Sequence, residues 1–189
     1  AGDPETASRI LQQADRASWS PERVRTHHTI ASAYAAQGKR AEAVAALNPL
    51  MKKSDPVVAL QYPVVARELY HHGYHEDARI VLRDLCARLK RHFPDWYSGF
   101  EWSHAVSVLA SREDTLPLAR ELIAWYEAET QPITDPKKRF VIDLSLAELH
   151  AHVGNIPKAV HYTARCPDRE EQTGSLIRVL RLVVDRRKE

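Results

Sequence analysis

The side chains best suited to chemistry in this 189-residue chain are its ten histidines. The densest group is His71, His72 and His75, followed at once by Glu76 and Asp77. Imidazoles four apart on one helix face can share a zinc ion. Gly73 interrupts the helix between His71 and His75, so the two need not share a face, and no metal site is expected. Histidines near a helix C-terminus also interact favourably with the helix dipole without any ligand. The pairs His27-His28 and His150, His152 are weaker candidates still, and there is no HExxH. Nucleophilic chemistry finds no support either: GxSxG is missing, and neither Cys86 nor Cys166 is flanked by a histidine that would lower its pKa. No glycine-rich loop could cradle a phosphate. The carboxylates stand beside Arg and Lys at spacings suited to ordinary helix-surface pairs. The residues therefore imply no catalytic group and no cofactor, and the chain does not read as an enzyme.

What the sequence does specify is a repeated structural element. Thr29–Leu47 (TIASAYAAQGKRAEAVAAL) places Ile30, Ala31 and Tyr34 on one face of a helix, then Gly38, then Ala43, Val44 and Leu47 on one face of a second. Glycine can take the left-handed conformation that ends a helix, so the chain can reverse into an antiparallel partner. Small Ala side chains let the two helices approach closely. The pairing of glycine with an alanine five residues later recurs at Gly73 with Ala78 and at Gly154 with Ala159, and Asp114 with Ala119 stands in the corresponding place between them. Positions 38, 73, 114 and 154 are thus separated by 35, 41 and 40 residues. Periods of this size mark helical repeats.

These units resemble degenerate tetratricopeptide (TPR) repeats, in which a bulky residue, a Leu, a small residue and a Tyr mark the first helix, and Ala, an aromatic and Ala mark the second. Ile30, Ala31, Tyr34, Gly38, Ala43 and Leu47 occupy the matching places in one unit, and Tyr62, Val65, Ala66, Gly73, Ala78 and Leu82 in the next. Asp114 departs from the turn glycine, His150 from the Tyr and Thr163 from the aromatic. The resemblance implies an all-α, right-handed α-solenoid of about four antiparallel hairpins, in one domain spanning 1–189. Its units would be about 21–52, 56–92, 97–131 and 135–166, with a leading helix 3–17 and a capping helix 168–187. Such stacking makes a concave groove lined by first helices. Carried over from the family, the groove positions are Arg25, His28, Ser32, Arg67, His71, Glu101, His104, Arg112, Glu148 and His152. The implied function is a non-enzymatic scaffold that binds a protein or peptide partner, with Arg25, Arg67 and Arg112 holding carboxylates.

Proline and cap residues predict the helix boundaries. Asp3-Pro4, Ser20-Pro21, Asp55-Pro56 and Asp135-Pro136 each put an N-cap before a first-turn proline. Pro49 predicts a kink or early end, and Pro63 a kink seven residues into its helix. His75–His92 is strongly amphipathic, with Ala78, Val81, Leu82, Leu85 and Leu89 on its buried side. Leu118, Ala119, Leu122, Ile123 and Tyr126 form a second buried stripe, and Val141, Leu144, Leu146, Ala147 and Leu149 a third. In the last helix Leu176, Ile177, Leu180 and Val184 are expected to face inward. The segment 93–102 (FPDWYSGFEW) concentrates aromatic rings that suit a junction between hairpins, while Trp96 and Tyr97 could instead anchor a bound peptide.

The formal charge of +2 comes from interleaved acids and bases and does not imply nucleic acid. No run approaches the roughly 18 apolar residues of a membrane span, and no leader pattern opens the chain. A cytoplasmic location is expected, although a start without Met suggests processing or truncation. Cys86 and Cys166 are expected to be reduced. Alternative roles are a regulatory or sensor domain of a larger protein, or a helical enzyme fragment using His71 and His75 with a metal. Self-association through an exposed end is a further possibility.

Overall fold

The computed structural model describes residues 21–51, 61–92, 100–166 and 169–186, together with positions 6 and 9, which are helical. The rest of the expected leading helix, the Asp55-Pro56 start and the aromatic pair Trp96 and Tyr97 lie outside the described residues. All regular structure among the described residues is helical: α1 (Pro21–Ala36), α2 (Arg40–Met51), α3 (Tyr62–His71), α4 (His75–His92), α5 (Phe100–Ala110), α6 (Leu116–Thr130), α7 (Pro136–His152), α8 (Ile156–Ala164) and α9 (Arg169–Arg186). None of these is long and apolar enough to cross a membrane. Two compact units divide the chain, Ala1–Leu89 and Lys90–Glu189.

Three hairpins close through the same backbone device. Gly38, Gly73 and Gly154 have φ of 71°, 88° and 74°. Each glycine donates its N–H three residues back, to Ala35, Tyr70 and Ala151, at 2.9–3.0 Å. The following residue donates five back: Lys39 to Tyr34, Tyr74 to Leu69, Asn155 to His150, at 2.8–3.0 Å. That is a complete Schellman motif, which satisfies helix-end carbonyls only if the residue at the turn is left-handed. The spacing to alanine also has a cause. Ala43, Ala78 and Ala159 donate to the carbonyls of Lys39, Tyr74 and Asn155, so each enters the first turn of the new helix, where it is fully buried.

In the first unit α1 packs on α2 and on α3, and α2 also meets α3. Ala31, Ala35, Ala43, Ala66 and Ala78 are wholly inaccessible, so these helices meet through small side chains. The expected stripe of α4 is buried throughout. Arg40 reaches Asp77 at 2.6 Å, and the Tyr74 ring lies over Gly38, which brings the turns of the two hairpins together. Helix α2 continues through Pro49 to Met51. The kink expected at Pro63 is absent for a simple reason: Pro63 lies in the first turn of α3, where the missing N–H costs no helical hydrogen bond.

In the second unit α7 is central, packed by α5, α6, α8 and α9. A helix with neighbours on most sides has no single apolar stripe. Ile142, Asp143, Ser145, Leu146, Ala147, Leu149, His150 and Ala151 are all buried, whereas Val141 and Leu144 are half-buried. Asp135 caps α7 as expected, accepting from the Lys138 N–H at 2.9 Å. Trp102 of α5 and Tyr126 of α6, both buried, place their rings 4.9 Å apart. Asp114 does not imitate a turn glycine. Arg112 is extended, residues Glu113–Thr115 make a 3-10 turn, and the Thr115 hydroxyl donates to the Leu109 carbonyl at 2.5 Å.

Helix α9 is turned differently from expectation. Val179 is buried and Leu182 half-buried against Ala147, Ala151 and Ala159, while Ile177, Leu180 and Val184 are 46%, 59% and 51% exposed. Ser175 is also buried, and its hydroxyl comes within 3.4 Å of the Thr163 hydroxyl. The longer apolar stripe is left outside. Cys166 is buried and Cys86 half-buried, both as thiols.

The two turn glycines of the first unit differ in a measurable way. A Cβ at Gly73 would meet nothing within 4 Å, whereas one at Gly38 would lie 2.3 Å from the Tyr74 ring. Gly73→Ala should cost about 1–2 kcal/mol of unfolding free energy from left-handed strain alone. Gly38→Ala should cost more, and the excess should vanish in a Tyr74→Ala background, as read by a double-mutant cycle in urea.

Candidate functional site

The groove positions fall on the expected helices, and several already have partners. In the first unit Arg25, His28 and Ser32 lie on α1, and Arg67 and His71 on α3. Arg25 and His71 are exposed, the other three half-buried. Arg67 pairs with Glu68 at 3.0 Å. His28 titrates below the ordinary histidine value because it is buried and because Arg67 lies nearby, with Glu68 opposing. His28, Arg67 and Glu68 thus form one cluster. His71 meets His72 edge-on, while His75 stacks on Tyr70 at 4.1 Å, so His71 and His75 serve different neighbours. Among the described residues no three His, Cys, Asp or Glu side chains are grouped to hold a metal ion.

In the second unit Glu101 and His104 lie on α5, and Glu148 and His152 on α7. His152 Nε2 meets the Ser103 hydroxyl at 3.1 Å. Burial raises the Glu148 carboxyl above its usual range, opposed by Arg178 of α9 at 3.4 Å. Arg112 belongs to the turn and pairs with Asp114 at 3.2 Å. Of the three arginines expected to hold a partner's carboxylates, Arg67 and Arg112 thus contact acids of their own chain.

The most elaborate polar arrangement was not among the expected positions. It is a cavity of about 750 Å³ in the second unit, bounded by α6, the turn at 131–134, α7 and α8. Its polar lining includes Glu127, Arg139, Lys158, Tyr162 and Arg165, and its apolar lining includes Ala124, Ala128, Ile133 and Leu146. Lys158, Tyr162 and Arg165 sit at i, i+4 and i+7 of one stretch, a single helix face. Asn155 starts that helix by accepting from the Lys158 N–H, and the Gly154 turn sets where it begins.

Two carboxylates organise these groups. Glu127 Oε1 accepts from His150 Nε2 at 2.9 Å, from the Tyr162 hydroxyl at 2.9 Å and from Lys158 Nζ at 3.1 Å, and Lys158 also reaches Oε2. Burial alone would push the Glu127 carboxyl up, but these hydrogen bonds outweigh it and hold it below the usual carboxylate range. Asp143, 4% exposed, takes Arg139 Nε and Nη2 on Oδ1 and Arg165 Nε at 3.2 Å on Oδ2. The His150 ring lies parallel to Tyr162 at 5.6 Å, and the Arg165 guanidinium lies 5.8 Å from the same ring.

Burial holds His150 below the ordinary histidine value, with Lys158 acting in the same sense and Glu127 opposing. Its Nδ1 is buried without a hydrogen-bond partner among the described residues. The ring is therefore neutral, Nε2 carries the hydrogen, and protonating Nδ1 would bury an N–H with no acceptor. Burial and the Glu127 contact push the Tyr162 hydroxyl up to about 12. The Glu127 carboxyl, held below the usual range, is ionised and accepts from three side chains, of which Lys158 alone reaches its second oxygen. Compared with protein families, with characterised proteins and with solved structures, the chain matches none.

Removing the shared acceptor strands three donors at once. Glu127→Ala should destabilise the chain by about 2 kcal/mol or more, with Glu127→Gln costing less, measured by urea unfolding. The pH dependence has a definite sign. Both Glu127 and His150 titrate below their ordinary values in the folded state, so the unfolded chain binds more protons in the intervening windows and stability falls with falling pH. The His150 part begins to be lost below about pH 6.5, and the Glu127 part at lower pH, as its carboxylate protonates. His150→Gln should flatten the upper portion of the melting temperature profile.

Proposed function

We propose that this chain is a TPR-like helical-repeat module that binds a segment of a partner protein and carries out no reaction itself. The observation that supports this best is the recurrence of one hairpin junction, with the same two hydrogen bonds and the same buried alanine, at Gly38, Gly73 and Gly154. Repetition of a junction serves stacking, since each hairpin presents the same small-residue face to a neighbour. The contacts of α1 with α3 and of α5 with α7 support a reading in which first helices lie side by side within each unit, as the proposed right-handed α-solenoid would require. Within the first unit the first helices carry Arg25, His28, Ser32 and His71, and within the second unit they carry Glu101, His104 and His152. Their mixture of cations, acids and imidazoles suits a polar, extended peptide rather than nucleic acid, for which a uniformly basic face would be needed.

A displayed library of random peptides selected on the intact chain tests this reading. Enriched peptides should lose about tenfold or more in affinity for the Arg25→Ala, His71→Ala double variant, whose changes lie at exposed positions and should leave the melting temperature unaltered. Failure to enrich any peptide, or undiminished affinity of the double variant, counts against the groove.

A further inference from the structure

Beyond the groove, the cavity on the second helices of the second unit has a ligand chemistry of its own. Three cations border it or its floor: Arg139, Lys158 and Arg165. Two carboxylates, Glu127 and Asp143, are bonded to them, which leaves one positive charge uncompensated within the cluster. The donors are unequally committed. Arg139 gives Nε and Nη2 to Asp143 and Nη1 to the Thr130 carbonyl at 3.2 Å, so it is consumed by the fold. Arg165 gives only Nε to Asp143, and its two terminal nitrogens carry no hydrogen bond to a described residue. Its side chain is 44% exposed and lines the cavity, as does the half-exposed Lys158 ammonium. Tyr162 lies between them along the chain, and the apolar side chains of Ala124, Ala128, Ile133 and Leu146 also line the cavity.

We propose that this cavity binds a single carboxylate carried on a small apolar body, with Arg165 and Lys158 receiving the charged end and Ile133, Leu146 and the two alanines receiving the apolar one. The paired terminal N–H groups of a guanidinium match the two oxygens of a carboxylate. One carboxylate neutralises the surplus charge, whereas a phosphate dianion would overshoot it. The buried acids fix the receiving cations in place: Asp143 holds Arg165 through Nε and so aims its far edge, and Glu127 tethers Lys158. The volume admits a ligand the size of one or two residues rather than a lone ion. Such a group could be the C-terminal residue of a polypeptide or a free small carboxylic acid.

Titration calorimetry on the full chain, with N-acetyl-leucine as probe and N-acetyl-leucinamide as its uncharged twin, tests the proposal. The acid should bind and the amide should bind about tenfold or more weakly, the value expected for loss of a charge-assisted hydrogen bond. Backbone amide shifts in NMR spectra should concentrate at 124–134 and 158–165. Arg165→Gln should weaken the acid about tenfold while leaving the amide unchanged. Because that change also removes a partner from buried Asp143, Lys158→Gln serves as the second variant, and each is checked for an unaltered spectrum elsewhere. A peptide ending in leucine separates the sources: much tighter binding than N-acetyl-leucine assigns the site to a chain terminus, and equal binding assigns it to a free acid. No acid binding at about 10 mM, equal binding of acid and amide, equal binding of inorganic phosphate, or shifts confined to the first helices would overturn the proposal. Peptides selected in the groove experiment report on Arg25 and His71, so the two readings can fail separately.

Discussion

A helix can end in a Schellman motif only where one residue accepts a left-handed backbone, and the two units depend on that constraint at Gly38, Gly73 and Gly154. The motif determines more than a turn. Because the residue after each glycine both closes the old helix and opens the new one, the next helix begins at a fixed phase relative to the last. That phase brings Ala43, Ala78 and Ala159 to the inside, where a larger side chain would push the helices apart. In the second unit it also sets where Lys158, Tyr162 and Arg165 emerge, so the geometry of the cavity follows from the Gly154 turn.

The second unit adds a demand of a different kind. Helix α7 is surrounded, yet it carries Asp143 and His150 on its buried surface. A buried charge is tolerable only when its partners replace the water it has lost. Asp143 is therefore held between two guanidiniums, and His150 lends its one hydrogen to Glu127. These polar groups tie α6, α7 and α8 together across sequence separations of 23 to 35 residues. An apolar core of alanines, valines and leucines has no directional contact to fix the sliding of one helix along another, whereas a carboxylate with three fixed donor groups does.

Much of the fold could be read from the chain. Local rules were enough for the Pro21 and Pro136 starts, the glycine turns and the stripe of α4, because each is settled within one or two turns of helix. The failures share a cause. Pro63 breaks a helix only if the helix has already begun, and α3 begins beside it. The face of α9 is set by what packs on Ala147, Ala151 and Ala159, and there Val179 and Leu182 take the place expected for Ile177, Leu180 and Val184. Asp114 was aligned with a glycine, but the reversal there uses an extended Arg112 and the Thr115 hydroxyl. Of the cavity, only the i, i+4, i+7 spacing of Lys158, Tyr162 and Arg165 is visible in the sequence. Glu127 looks like any surface glutamate on an exposed helix face, and its role appears only when α8 is brought beside α6.

The same long-range pairing decides how the charges around the cavity are partnered. Each acid is paired within the chain: Glu127 with three side chains, Asp143 with two. The pairing lowers the energy of the ionised form. It satisfies the cations less completely, because one carboxylate cannot occupy every N–H of a guanidinium. Asp143 satisfies Arg139 together with the Thr130 carbonyl, but it meets Arg165 at Nε, and among the described residues the terminal nitrogens of that guanidinium have no hydrogen-bond partner. Among the described residues the network is thus more complete on its acidic side than on its basic side, and the proposed carboxylate site rests on that asymmetry.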